Sequence, residues 1–209
     1  MDPKCSYCSA WACVSDDKSK MPGFCPMEDE AIYKKAYEIT ASDKYREFYK
    51  NSSEIEKDGY RMWPRVKETM ELIRRMNYER VGFCFCKGLS KEARILTDIF
   101  KRNGIDLITA MCKTGGVDKS KIGIPDSEKI KPGHFEPMCN PVAQALILNK
   151  ANTQLNIVMG LCVGHDALFY KFSDALCTTI VVKDRVTGNN PCVVLYGADG
   201  YFNNRIDLD

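Results

Sequence analysis

Apolar positions recur with two different periods along this chain, and the place where the period changes divides it. From 28 to about 76 the spacing is helical: Ile32, Tyr33, Ala36 and Tyr37 fall on one face. Glu28, Asp29 and Glu30 precede them, where acidic groups complement the partial positive charge of a helix N-terminus. Pro64 suits the first turn of a following helix, whose stripe of Val66, Met70, Leu72 and Ile73 ends near Asn77.

After Tyr78 short β-rich runs alternate with helical stretches. The pattern predicts strands over 80–86, 105–112 and 155–162 and helices over 90–102 and 141–150. A helix from about 166 to 173 and strands over 178–183 and 192–196 continue the series. Such alternation predicts an α/β fold, with a mostly parallel sheet flanked by helices in a Rossmann-like arrangement. The stretch 113–138 is too long and too polar for an ordinary connection, which marks a functional loop or disorder. The expected organisation is a cysteine-rich metal-binding knot over 1–27, a helical segment over 28–78 packing on the core, and an α/β domain over 79–209.

Composition changes this picture at one point. The chain has 209 residues, and its 30 Lys and Arg nearly cancel 28 Asp and Glu. No net field or basic stripe draws it to phosphate backbones or anionic lipid, so neither nucleic acid nor a membrane is an expected partner. The first 25 residues carry no apolar run of signal-peptide length, and no later stretch approaches the roughly 18 apolar residues of a membrane span. A cytoplasmic location is expected. Cysteine is the unusual residue: there are 11, an odd number. In a reducing compartment clustered thiols serve as metal ligands or catalytic groups more often than as disulfides.

Cys5, Cys8, Cys13 and Cys25 are spaced C-x2-C-x4-C-x11-C. A C-x2-C turn lets two thiolates bind one metal while backbone N–H groups point at the sulfurs, and two more thiolates complete a four-sulfur shell. Zinc and a 4Fe–4S cluster both accept that shell. The spacing is neither that of a ferredoxin nor that of a standard zinc finger. The plain alternative is four incidental thiols on a flexible N-terminus.

Parallel strands present their carboxyl ends along one edge, where open α/β folds place ligands. Cys86, Cys112 and Cys162 end the first three predicted strands. Cys139 precedes Asn140 and Pro141, which read as the N-cap and first residue of a helix whose dipole favours thiolate over thiol. These four are candidates for a second zinc or iron–sulfur site, if strand order lets them meet; the alternative is buried packing. Cys177 and Cys192 start predicted strands at the opposite edge, and Cys84 lies within one, so those three are read as packing residues.

Polar groups at that edge fit a small anionic ligand. Lys87-Gly88 and Lys113 followed by Gly115-Gly116 come after strand ends, and Gly164 precedes a helix, where exposed N–H groups and lysine charge suit an anion. Plain turns have the same composition. His165 and Asp166 form a candidate proton donor and its orienting carboxylate, with Lys113 the third catalytic candidate; a capping role for Asp166 is the alternative. Lys183-Asp184-Arg185 follows another strand end and either faces the cleft or is a solvated run. His134 is read as a surface residue.

Several segments together resemble a known family: Phe85-Cys86-Lys87-Gly88-Leu89, Cys112-Lys113-Thr114-Gly115-Gly116, Met138-Cys139-Asn140-Pro141, Gly160 to Asp166, and Lys183-Asp184-Arg185-Val186. They look like those of uncharacterised cysteine-rich proteins of anaerobic bacteria and archaea, described as a metal-binding domain of unknown function. The resemblance implies that all eight named cysteines match the family's cysteine positions, and it implies no established reaction. Two functions fit the sequence. One is a redox or metal-dependent enzyme acting at the strand-end cleft; the other is a non-catalytic metal or cluster sensor, carrier or delivery module that binds and releases metal. A small anionic ligand or a redox partner protein is the expected partner besides metal ions.

Overall fold

The structure, a computed structural model, describes residues 2–15 and 17–208. The chain divides into two compact units, Met1–Lys57 and Asp58–Asp209.

In the first unit, short 3-10 turns at Cys5–Tyr7, Ala12–Val14, Lys18–Lys20 and Pro26–Glu28 lead into helix α1, Glu30–Thr40. Asp29 caps α1 by accepting the Ile32 N–H at 3.3 Å. Only Ala12 and Ile55 are buried among the described residues of this unit, so apolar burial gives the knot little cohesion. Helix α2, Arg46–Gly59, runs across the division between the units.

The second unit runs α3 (Arg65–Arg75), β1 (Val81–Phe85), α4 (Ser90–Arg102), β2 (Leu107–Met111), α5 (Pro141–Lys150), β3 (Leu155–Met159), α6 (His165–Phe172), β4 (Leu176–Val181), α7 (Cys192–Tyr196) and α8 (Asn203–Ile206). The strands form one all-parallel sheet of order β2-β1-β3-β4. Every residue of β3 is buried, whereas β4, at the edge, is half-exposed. This is the α/β fold that the alternating pattern predicts. On one face Ala145 and Leu148 of α5 and Phe169 of α6 bury against Cys84, Ala110 and Val158, while α4 meets β2 and α3 meets β4. Among the described residues no helix is long and apolar enough to cross a membrane.

Two local expectations are corrected. Pro64 sits one residue ahead of α3, as its extended N-cap, rather than in its first turn. Residues 192–196 are a five-residue helix, not a strand. Pro191 already holds helical angles there, φ −62° and ψ −19°, because its ring fixes φ. The Val193 N–H then bonds Asn190 O at 3.2 Å and the Gly197 N–H bonds Val193 O. Cys192 is consequently an exposed helix residue rather than a strand start.

Candidate metal centre and cleft

The strand order decides where the cysteines meet. The chain leaves β1 for β2 on one side and returns to β3 on the other, so the switch point lies between the carboxyl ends of β1 and β3, the place where such sheets bind ligands. Cys86 and Cys112 stand one residue past the last register pair, Phe85 with Met111. The ladder bonds continue there: the Cys112 N–H reaches Phe85 O at 3.0 Å and the Cys86 N–H reaches Met159 O at 3.1 Å.

Cys139 arrives from the loop side. The Asn140 N–H bonds Cys112 O at 2.7 Å, and Asn140 Oδ1 caps α5 by accepting from the Ala143 N–H at 3.1 Å. Cys162 is held by its carbonyl, which accepts the N–H groups of His165 at 2.9 Å and Asp166 at 3.2 Å. One ligand atom each from Cys139, Cys162 and His165 lies within 4.8 Å of the others. Cys86, Cys112, Cys139 and Cys162 all line one tight hollow with His165 and Gln144. His165 Nδ1 is buried and has no hydrogen-bond partner.

Donors converge on these sulfurs. The Lys87 N–H points at Cys112 Sγ, 3.2 Å away, and Arg185 Nη2 at Cys162 Sγ, 3.1 Å away. The neighbouring Cys112 thiol, as a side-chain donor, pulls the Cys86 and Cys139 thiols down to about 5 against the opposing effect of burial. The Gly88 N–H and Lys183 charge assist at Cys86, and Lys113 assists at Cys139. As the shared donor, Cys112 is pushed far up instead.

In front of the sulfurs opens a cleft of about 480 Å3. Lys87, Lys113, Lys119, Lys183 and Arg185 contribute charge to it, and Ile122, Ile124, Ile130 and Met138 line it from the loop. That loop is ordered by the Lys119–Glu136 ion pair at 2.5 Å, by Lys129 against Asp118 at 3.1 Å and Asp126 at 3.2 Å, and by a bridge between Asp118 and Pro137. Lys113 Nζ bonds Pro137 O at 2.6 Å, tying the loop's end to the strand it leaves.

In the first unit, Cys5, Cys8, Cys13 and Cys25 line a single apolar cavity of about 220 Å3 together with Trp11, Phe24, Met27 and Tyr33. The C-x2-C segment is a 3-10 turn closed by the Cys8 N–H on Cys5 O at 3.1 Å.

Comparison with known proteins gives a family. Residues 25–180 match the family described as "Protein of unknown function (DUF1847)". The chain belongs to the DUF1847 family. It is also 36% identical, over 193 residues, to an uncharacterized protein of Methanocaldococcus jannaschii, covering 92% of this chain and 93% of the relative. No solved structure matches. The DUF1847 segment includes Cys25, Cys86, Cys112, Cys139, Cys162 and His165; Cys5, Cys8, Cys13, Lys183 and Arg185 lie outside it.

Within this DUF1847 chain, the expected residues divide by place. Lys87, Gly88, Lys113 and His165 line the cleft, as do Lys183 and Arg185. Gly115 and Gly116, with φ of 90° and 56°, shape the turn after β2, and Gly164, φ 80°, is the N-cap of α6. Those three and Asp166 are absent from the cleft lining; Asp166 Oδ1 accepts the Ala167 N–H at 2.8 Å. His134 is exposed, and Cys84 and Cys177 are packed in or against the core as expected. Sequence reasoning missed Gln144, which is fully buried, with Nε2 donating to Ala110 O at 2.7 Å and Phe85 O at 3.3 Å. A glutamine one turn before Leu148, on the inward face of an otherwise apolar helix, is the signal that would have found it.

Proposed function

We propose that the protein is a metal-dependent enzyme whose centre is built from Cys139, Cys162 and His165 and acts on a small anion held in the adjoining cleft. The close approach of those three ligand atoms, at the floor of a cleft carrying five cationic side chains, is the observation behind this reading. Two thiolates and an imidazole form a three-ligand set that leaves a fourth position for water or substrate. With Zn–S near 2.3 Å, sulfurs around one zinc stand about 3.8 Å apart, inside the 4.8 Å that bounds the three ligand atoms here. The unpartnered His165 Nδ1 is a donor atom with nothing else to bind. A zinc-type ion would supply Lewis acidity to a bound anion. Arg185 orients Cys162, Lys183 and Lys87 neutralise the anion, and the isoleucines of the loop exclude water.

The N-terminal thiols are assigned to a different group. A single water needs on the order of 10–15 Å3 of such space, so a cavity of about 220 Å3 has room for a polyatomic cofactor. The four thiols share that cavity without forming a group of three within 4.8 Å among the described residues. We assign it a 4Fe–4S cluster; the exposure of Cys5 and Cys13 favours electron exchange with a redox partner. A cytoplasmic setting accords with thiols kept reduced.

The test is anaerobic purification with zinc, iron and sulfide quantitation, repeated on Cys139→Ala, Cys162→Ala and His165→Ala. Loss of zinc with iron retained in each variant supports the assignment. Unchanged zinc content in all three sinks it.

A further inference from the structure

Cys86 and Cys112 are not needed for the three-ligand set, yet they are placed together. They follow Phe85 and Met111, which are register partners in a parallel pair, so they stand opposite one another at the next position and on the same sheet face. Neighbouring strands lie about 4.8 Å apart, within the roughly 4.4–6.8 Å that a disulfide spans between Cα atoms. Both line the cleft, but their exposures differ: Cys86 is half-buried, whereas Cys112 is 3% exposed. An accessible thiol backed by a buried one is the arrangement of an attacking and a resolving cysteine.

We propose that Cys86 and Cys112 form a redox-active dithiol that exchanges with small anionic disulfides entering the cationic cleft. Cys86 Sγ, as thiolate, attacks one sulfur of the substrate RSSR; the S–S bond breaks, a Cys86–S–S–R bond forms and RS− leaves. Cys112 Sγ, its proton passing to a departing thiolate, then attacks Cys86 Sγ and releases the second RS−. In sum RSSR and two cysteine thiols become two RSH and a Cys86–Cys112 disulfide, two electrons passing from protein to substrate. Lys183 favours an anionic substrate: its Nζ lies 3.7 Å from the place a Cβ on Gly88 would occupy, and Cys86 Sγ lies 3.8 Å from it. The inference uses the cleft of the proposed function but not its metal.

The experiment incubates the anaerobically purified full chain with dithiodiglycolate, a dicarboxylate disulfide, or with neutral hydroxyethyl disulfide, then alkylates and maps linkages by mass spectrometry. The expected result is a Cys86–Cys112 linkage, with a mass decrease of about 2 Da, formed on the order of ten-fold faster with the anionic reagent. Cys112→Ser should trap one thioglycolate on Cys86, and Cys86→Ser should leave Cys112 unmodified. Lys183→Gln should abolish the preference for the anion. Linkage of other cysteines, or equal rates with both reagents, overturns the inference. So does loss of zinc from Cys86→Ser or Cys112→Ser, which would make them ligands. A wild-type chain without zinc that still forms the linkage overturns the metal centre alone.

Discussion

Arg185 Nη2 donates to Cys162 Sγ across 3.1 Å, although 23 positions separate the two in sequence. A guanidinium on a ligating sulfur draws off negative charge and fixes the direction in which its remaining lone pairs point. Groups that orient metal ligands in this way change affinity by about 10–100-fold when removed. On the proposed assignment, Arg185→Met should therefore weaken zinc binding at the sheet edge by that factor and leave N-terminal iron unchanged, read by chelator competition. Arg185→Lys, which keeps charge but loses the planar fork, should fall between. Identical affinity in wild type and Arg185→Met would remove Arg185 from the site.

Gly160 sets the floor of the same edge. Its φ is +59°, and a Cβ there would overlap Leu89 Cδ1 and approach Lys183 Cε at 3.6 Å. Gly160→Ala combines left-handed strain with overpacking against a buried leucine, a loss of about 2–4 kcal/mol. In a Leu89→Ala background the same change should cost only the backbone part, about 1–2 kcal/mol. Urea unfolding of the four proteins measures the difference, and equal costs in both backgrounds would show that Leu89 is not the obstacle.

Much of this arrangement is legible in the amino-acid sequence. The strands over β1, β2 and β3 follow from runs such as Val81-Gly82-Phe83-Cys84-Phe85, and Asn140-Pro141 marks its helix start with a cap and a preset φ. Cys86 and Cys112 at strand ends were legible as well, whereas Cys162 stands three residues past the end of β3 rather than at it. Their meeting was not, because it depends on strand order, which no local pattern encodes. The run Cys192-Val193-Val194-Leu195-Tyr196 has the β-branched composition of a strand, yet the turn fixed by Pro191 prevailed. The place of the loop isoleucines depends on how 113–138 folds back, and that folding rests on ion pairs such as Lys119–Glu136.

The lowered thiols of the cluster make the stability of the protein without metal depend on pH. Cys86 and Cys139 lie at about 5 in the folded chain against an ordinary 9.0. A lowered value adds stability that is complete above 9.0 and is lost as pH falls through 5. Cys112 has the opposite sign: its raised value adds stability that is complete below 9.0 and declines above it. Stability should rise from pH 5 toward pH 9, a window above the range in which ordinary carboxylates titrate. Urea midpoints of the zinc-free protein across it check the slope, and the Cys86→Ser, Cys139→Ser double variant should flatten it. A midpoint that falls with pH would contradict the assignment of Cys112 as donor.

Gln144 shows how the edge is held before any ligand arrives. Its Nε2 bridges the carbonyls of Ala110 and Phe85, at the ends of β2 and β1, and its Oε1 is buried without a partner. Gln144→Leu keeps the volume but leaves those carbonyls short of a donor, at a cost of about 1–3 kcal/mol. Gln144→Glu should cost more, since it removes the donors and buries a carboxylate beside two thiolates. Urea unfolding ranks the three, and a leucine variant as stable as wild type would show the bridge to be dispensable.

The N-terminal knot has no comparable framework of its own. Among the described residues of Met1–Lys57 only Ala12 and Ile55 are buried, and Trp11 is 60% exposed at the rim of the cysteine cavity. A segment with so little core depends on its staple, and for a metal staple binding energy becomes folding energy. On the proposed assignment of a cluster there, stripping it with a chelator should therefore expose the segment around Cys5–Tyr7 and Ala12–Val14 to protease and to hydrogen exchange at rates near those of an unfolded chain. Strands β1 and β3, in the other unit, should keep their protection, because their cohesion comes from side chains such as Phe83, Leu155 and Ile157 that are fully buried. Cys25→Ala should reproduce the effect without a chelator. A knot equally protected with and without metal would mean that its turns alone hold it.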